Sequence, residues 1–138
     1  MKQAIIFTDA SYWTDNGKTA VAYVMIHDNG DIRSFAGTVG HNKTIHRAEL
    51  YAVVFAIESM RVRCKHDVTV YTDCLGNVEA QDKPLSKRND VDLWRKLNAV
   101  NHKVRLEWIR RDSHPYMVEV DSMARNCLQK WLIERGIK

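Results

Sequence analysis

The chain has 138 residues, of which 45% are hydrophobic, and these values predict one compact domain over residues 1–138 with a core of its own. It has neither the roughly 20 consecutive apolar residues of a membrane-spanning helix nor the cleavage site of a signal peptide, so we expect a cytoplasmic, monomeric protein without a membrane partner. The net charge of +4 is compatible with a polyanionic partner, and the three widely spaced cysteines fit neither a zinc site nor a disulfide framework.

The first third of the chain predicts three strands. The apolar segment AIIFTDA (4–10) is followed by TAVAYVMIHD (19–28) and DIRSFAGTV (31–39). Asn29 and Gly30 separate the last two segments, and both residue types tolerate the positive φ of a tight hairpin turn. We therefore expect an antiparallel meander.

From Thr44 onward, helical and strand patterns alternate. Thr44 is a candidate N-cap for a long helix, TIHRAELYAVVFAIESM, in which apolar residues recur at helical spacing. A strand, VTVYTD, a short helix from Cys74 and a polar connection containing Pro84 come next. A helix (91–100), a strand (103–109) and a final helix from about Met117 to Glu134 complete the order β-β-β-α-β-α-α-β-α. This order predicts an α/β protein with helices on the faces of a mixed sheet.

Three acidic residues lie where the hydrophobic pattern predicts the interior. Asp9 and Asp73 end the apolar strands, and Glu49 shares one helical row with Ile45 and Val53. An unpaired buried carboxylate costs several kcal/mol or more, and the pattern places no lysine or arginine beside them. Each carboxylate must then be neutralised, paired or bound to a metal.

Asp121, near the start of the last helix, also borders an apolar face. Any one of the four could be only a helix cap or a strand-end residue. Together, carboxylates from strand ends and helix faces predict an oxygen cage for Mg²⁺ or Mn²⁺, of the kind that serves phosphoryl chemistry.

At these residues the chain resembles the type 1 ribonuclease H family, from Ile5 to about Leu128. The matching motifs are TDAS (8–11), HRAEL (46–50), YTDC (71–74), DLW (92–94), LEWI (106–109) and VDSMAR (120–125). The resemblance implies a five-stranded ribonuclease H-like sheet and hydrolysis of the RNA strand of RNA–DNA hybrids. It also implies a catalytic, metal-binding set formed by Asp9, Glu49, Asp73 and Asp121.

In such a site two Mg²⁺ ions, with Mn²⁺ as a substitute, activate a water and stabilise the leaving oxygen, giving 5′-phosphate and 3′-hydroxyl ends. The family also implies that backbone around Ala10 and Ser11 contacts the 2′-hydroxyl that distinguishes RNA. Thr44 would bind a DNA phosphate.

The chain departs from the family pattern in three places. Ile45 and His46 replace an asparagine pair, so the resemblance does not extend to that pair's base-edge contacts. The segment between Asp73 and Trp94 has no room for a basic protruding helix. Possible substitutes in substrate binding are Lys87, Arg88, Arg110 and Arg111, although such clusters are often only solvated surfaces. The loop before Asp121 is short and lacks glycine.

His114 lies in that short loop. Histidine changes charge near neutral pH, so His114 is a candidate catalytic group for proton transfer during product release. The alternative is an exposed loop histidine stiffened by Pro115. Trp94, Trp108 and Trp131 lie on apolar faces and are expected in the core.

Two other functions remain open. A nuclease of the same fold could act on other nucleic acids, which the intact carboxylates permit. A non-catalytic hybrid-binding module would have lost at least one metal ligand, whereas all four acidic positions are filled.

Overall fold

A computed structural model describes residues 2–60 and 64–137, so the predicted domain limits at residues 1 and 138 lie outside the described residues. The element order agrees with the prediction. In chain order the elements are β1 (Lys2–Tyr12), β2 (Lys18–His27), β3 (Ile32–His41), α1 (Ile45–Glu58), β4 (His66–Thr72), α2 (Leu75–Ala80), a 3-10 turn (Leu85–Lys87), α3 (Val91–Ala99), β5 (Lys103–Trp108) and α4 (Pro115–Glu134).

The five strands form one mixed sheet in the order β3-β2-β1-β4-β5. Strands β1, β2 and β3 are antiparallel, whereas β4 pairs in parallel with both β1 and β5. The β1–β4 pairing ends at Phe7 and Tyr71, but β1 continues beside β2 as far as Tyr12. The sheet therefore opens between β1 and β4 just after Phe7, which creates a recess there. The strand order and the mixed pairing confirm the predicted fold class.

The hairpin between β2 and β3 forms at the predicted place, with a different turn. Only Gly30 adopts a positive φ, of 89°, so the expectation for Asn29 was wrong. The Asn29 side chain instead accepts a hydrogen bond from the backbone N–H of Asp31 at 3.0 Å. This local side-chain bond shapes a four-residue loop in which only the glycine needs the left-handed conformation.

Helices cover both faces of the sheet and divide the core. Helices α1 and α3 pack on one face around residues such as Ile6, Leu50 and Leu93. Helix α4 covers the other face, where Met117 packs near Phe7. Because side chains alternate along a strand, Asp9 lies on the Phe7 side of β1. Truncating a fully buried residue such as Leu50 to alanine costs about 2–5 kcal/mol of stability, so the packing of α1 on the sheet contributes strongly to the stability of the fold.

The start of α1 is fixed at two points. Thr44 Oγ1 accepts a hydrogen bond from Arg47 N at 3.1 Å, which confirms the predicted N-cap. The Arg47 guanidinium binds Asp92 through two bonds of 2.9 and 2.7 Å and reaches Asp90 at 3.2 Å. The hydrogen bond from Arg47 lowers the pKa of Asp92 to about 2. These contacts join the N-terminal ends of α1 and α3.

Two further sequence expectations have definite outcomes. Trp94 is buried as predicted, with 2% of its surface exposed. Trp108 is 44% exposed, so its assignment to the core was wrong. Among residues 2–60 and 64–137, no helix combines the length and the apolar character needed to cross a bilayer.

Candidate active site

Three carboxylates meet at the recess between β1 and β4. Asp9 comes two residues after β1 leaves β4, Asp73 directly follows β4, and Glu49 lies in the first turns of α1. One oxygen of each side chain lies within 4.8 Å of the other two. Asp9 lies inside β1 and not at its end as predicted, since β1 continues along β2. The expected gathering of these residues nevertheless occurs, because the β1–β4 pairing ends there.

Glu49 is buried, with 5% of its surface exposed, and Asp9 is buried to a similar degree, at 2%. Its Oε1 accepts a hydrogen bond from the backbone N–H of Ala10 at 3.0 Å. Within the described part of the chain, its Oε2 is buried and has no hydrogen-bonding partner. Burial, followed by the charges of Asp9 and Asp73, raises the pKa of Glu49 well above its usual value.

The pKa of Asp9 is raised for similar reasons. Burial raises this pKa from 3.8 to about 7, the neighbouring Glu49 side chain opposes the increase, and the charge of Asp73 adds to it. Without a cation, the raised pKa values of Asp9 and Glu49 favour protonation of this pair of carboxyls as the pH falls towards neutrality. A divalent cation would remove the same repulsion and allow both groups to ionise.

The donor set indicates which cation fits. All three ligands are carboxylate oxygens, and the unpartnered Glu49 Oε2 leaves one buried oxygen available for coordination. Hard oxygen donors suit Mg²⁺ and Mn²⁺, whereas zinc sites in proteins are rich in nitrogen and sulfur. The residues present therefore fit the metal that the sequence predicts.

Asp121 lies on α4 at the border of this cluster. Its Oδ2 accepts a hydrogen bond from Arg125 at 2.8 Å, one helical turn further on. Asp121 is also one of the smaller contributions to the raised pKa of Asp9. Asp121 is thus near the site but outside the group of three oxygens that lie within 4.8 Å.

Basic side chains do reach these carboxylates, contrary to the sequence expectation. Arg111, in the loop between β5 and α4, places Nε at 3.1 Å from Asp73 Oδ2. Arg125 does the same for Asp121. The hydrophobic pattern misses Arg111 because it assigns no direction to side chains in a loop. The only sequence signal was the Arg110–Arg111 pair beside the site.

Trp108 is a second residue that sequence reasoning placed wrongly. Its indole Nε1 donates to the backbone carbonyl of Asp73 at 3.2 Å. This bond ties the end of β5 to the residue that follows β4. The tryptophan therefore fixes the backbone beneath a candidate metal ligand instead of filling the core.

His114 begins α4. Its Nδ1 accepts a hydrogen bond from Tyr116 N at 3.0 Å, which makes it the N-cap of the helix. The ring also stacks on Phe7, with centroids 4.6 Å apart, and Phe7 is two residues from Asp9. His114 is thus half-buried and held in place near the site, and a catalytic role for it stays a prediction.

The candidate substrate-binding residues have different surroundings. The N–H of Ala10 is already bonded to Glu49, and Ser11 is half-buried in β1. Thr44 and Lys43 line an open groove of about 940 Å³ between the starts of α1 and α3.

The remaining candidates are basic. Lys87 is exposed, and Arg110 pairs with Asp112 at 3.5 Å. Arg88 donates to the backbone carbonyls of Lys83 and Gln81 at 2.9 and 2.8 Å, and its guanidinium lies 4.7 Å from the centre of the Trp94 ring. Arg88 therefore already has partners within the fold.

Known proteins share both this sequence pattern and this architecture. The signature of the RNase H family matches residues 1–129. A protein named Ribonuclease H from Klebsiella pneumoniae subsp. pneumoniae is 28% identical over 144 residues, covering 91% of this chain and 88% of that protein.

Two solved structures support the fold. RNase H1 from the archaeon Halobacterium salinarum NRC-1 superimposes with a TM-score of 0.65 and 21% identity, covering 93% of this chain and 98% of that one. LC11-RNase H1 in complex with RNA/DNA hybrid gives a TM-score of 0.64 and 17% identity, with coverage of 94% and 99%. The family match spans nearly the whole chain and agrees with the strand order and the gathered carboxylates, so this chain is an enzyme of the RNase H family.

Proposed function

We propose that this protein hydrolyses the RNA strand of RNA–DNA hybrids in a reaction that depends on two Mg²⁺ ions and leaves 5′-phosphate and 3′-hydroxyl ends. The observation that carries the proposal is the cluster of Asp9, Glu49 and Asp73 oxygens within 4.8 Å of one another. Such a concentration of buried negative charge is stable near neutral pH only with protons or cations. Mn²⁺ would serve as a substitute.

Asp9 and Asp73 would hold both metals, and Glu49 and Asp121 would each complete one side. When bound, the two cations would activate a water for in-line attack and stabilise the departing oxygen. The chain's own contribution is positioning. The Ala10 N–H orients Glu49 through a 3.0 Å bond, and Trp108 holds the backbone of Asp73.

Selection of the RNA strand is proposed to depend on β1 beside the carboxylates. Backbone at Ala10 and Ser11 would contact the 2′-hydroxyl, which deoxyribose lacks. Thr44 would hold a phosphate of the DNA strand in the groove that it lines. The likeness of the fold to LC11-RNase H1, whose structure was solved with an RNA/DNA hybrid, supports this choice of substrate.

Cleavage assays with three labelled duplexes test the proposal. Purified protein with Mg²⁺ is expected to cut the RNA strand of a hybrid, to leave double-stranded RNA and DNA intact, and to become inactive in EDTA. Comparable cleavage of another duplex would favour the alternative of a nuclease with different substrates. Binding of the hybrid without any cleavage would favour a non-catalytic binding module.

We further propose that four basic side chains bind substrate phosphates, although only Arg111 contacts the carboxylate cluster. A fourfold variant with alanine at Lys87, Arg88, Arg110 and Arg111 should bind the hybrid with a weaker dependence on salt. The slope of log binding constant against log salt concentration should become shallower by roughly 0.7 to 0.9 for each phosphate that is no longer neutralised. Fluorescence anisotropy in the Asp9→Asn background measures binding without cleavage. Arg105→Ala is the control, because Arg105 is exposed and pairs with Asp82 at 2.8 Å. An unchanged slope in the fourfold variant would show that these residues are only solvated surface.

The proposed role of His114 in product release can be separated from its role as a helix cap. We expect His114→Ala to lower kcat by about tenfold to a hundredfold with little change in KM, and to lose about 1 kcal/mol of stability with the cap. His114→Asn keeps a capping side chain but removes the ionisable ring. It should therefore keep the contribution of the cap to stability, though not that of the stacking on Phe7, and still show the kcat defect. A normal kcat for His114→Asn would leave His114 with a structural role only.

We also propose that the chain works as a single-domain monomer in the cytoplasm. The family match over residues 1–129 supports the single domain. Light scattering of the purified protein, with and without hybrid, would test the monomeric state.

A further inference from the structure

Arg111 lies where a cation would be expected to bind. Its Nε is 3.1 Å from Asp73 Oδ2, and 66% of the arginine side chain is exposed compared with 14% of the aspartate side chain. The guanidinium therefore reaches in from solvent and covers a carboxylate that is otherwise largely buried. Asp73 is the least buried member of the three-carboxylate cluster, so it is the member that such an arginine can reach.

The electrostatic field at Arg111 comes from the whole site. The pKa of Arg111 is raised first by its hydrogen bond to Asp73, against the effect of burial, and then by the charges of Asp73, Asp9 and Asp121. Arg111 is thus a positive charge held by the same carboxylates that would hold a metal. A divalent ion and a guanidinium at one oxygen repel each other, so the two are competitors.

We propose that Arg111 is a built-in competitor for metal: it occupies Asp73 in the metal-free enzyme, and the incoming cation must displace it. The inference depends on the proposed metal-dependent function, because it concerns the same carboxylates. Arg111 would thereby set the affinity of the site for metal.

The surroundings of Arg111 permit the displacement. The residue lies in the loop between β5 and α4, and its exposed side chain can rotate into solvent without disturbing the core. Because the arginine side of the pair is exposed to solvent, the pair is weak, so the arginine lowers the affinity for metal without preventing its binding. Asp73 itself stays in place, because Trp108 holds its backbone carbonyl.

Isothermal titration calorimetry of metal-free protein with Mn²⁺, in the absence of nucleic acid, tests this inference. Arg111→Ala is expected to bind Mn²⁺ about threefold to tenfold more tightly than the unmodified protein. Arg110→Ala is the matched control. It removes the same charge from the neighbouring position, where the arginine pairs with Asp112 and not with the site, and its affinity should change by less than about twofold.

Thermal unfolding provides a second measurement that does not depend on activity. Without metal, Arg111→Ala should have a lower Tm, because Asp73 loses its compensating charge. Saturating Mn²⁺ should raise its Tm more than that of the unmodified protein, as tighter binding to the folded state requires.

Equal Mn²⁺ affinities for Arg111→Ala and the unmodified protein would overturn the inference alone. An equal increase in Mn²⁺ affinity in Arg110→Ala and Arg111→Ala would also overturn it, because the change in net charge would then explain the effect. Absence of Mn²⁺ binding by the unmodified protein would overturn both this inference and the proposed metal-dependent reaction.

Discussion

Asp9→Asn and Asp73→Asn are each expected to abolish cleavage of RNA–DNA hybrids while the protein stays folded. Each substitution removes a full negative charge from a cluster whose oxygens lie within 4.8 Å of one another, and a neutral amide cannot replace it in holding a divalent ion. The loss should exceed the roughly hundredfold to thousandfold cost of removing one hydrogen-bond donor from an active site. Cleavage of a labelled hybrid at saturating Mg²⁺ measures the effect.

Asp15→Asn is the matched control for both variants. It makes the same chemical change at an exposed residue in the turn between β1 and β2, and it should cleave normally. Circular dichroism should show that all three variants fold. Near-normal turnover by either Asp9→Asn or Asp73→Asn with Mg²⁺ would contradict the assignment of the site.

The metal-free protein is expected to lose stability as the pH rises from about 4 to about 7. Across this window folded Asp9, whose pKa is raised from 3.8 to about 7 chiefly by burial, retains a proton that the unfolded chain has released. Stability then falls with pH, by at most about 4 kcal/mol for a difference of this size. The raised pKa of Glu49 acts in the same direction. Urea denaturation in EDTA at several pH values measures the slope.

Asp9→Asn should flatten this pH dependence, because its amide does not titrate and no longer repels Glu49 and Asp73. At pH 7 the metal-free variant should therefore be more stable than the unmodified protein. Adding Mg²⁺ should stabilise the unmodified protein more than the variant. A pH dependence that is identical in both proteins would mean that Asp9 is not the group responsible.

The sequence was sufficient to predict the order of elements and the gathering of three carboxylates, whose catalytic role stays a prediction. Thr44 and the apolar rows of α1 and α4 carry local signals, since capping and helical spacing depend on nearby residues. Asp9, Glu49 and Asp73 were identified because a charged residue in an apolar pattern conflicts with burial. That conflict is visible without knowledge of the fold.

The contacts that the sequence did not predict depend on long-range geometry. Arg111 reaches Asp73 from a loop, and the indole of Trp108 bonds to a backbone carbonyl in another segment. His114 was expected in a loop, but its ring accepts a hydrogen bond from Tyr116 and stacks on Phe7. Hydrophobic periodicity gives the face on which a residue lies, and it does not give the direction of a side chain beyond the end of an element.

The parallel pairing of β1 with β4 also affects when the site can form during folding. It joins Lys2 to His66 and Phe7 to Tyr71, so the chain must close a long loop, containing β2, β3 and α1, before Asp9 and Asp73 meet. Contacts between segments so distant in sequence are slow to form, whereas hairpins and helices form early. A partly folded chain with its hairpins and α1 in place would therefore still lack the carboxylate cluster. Metal should consequently have little effect on the early rate of folding and should act mainly by slowing unfolding.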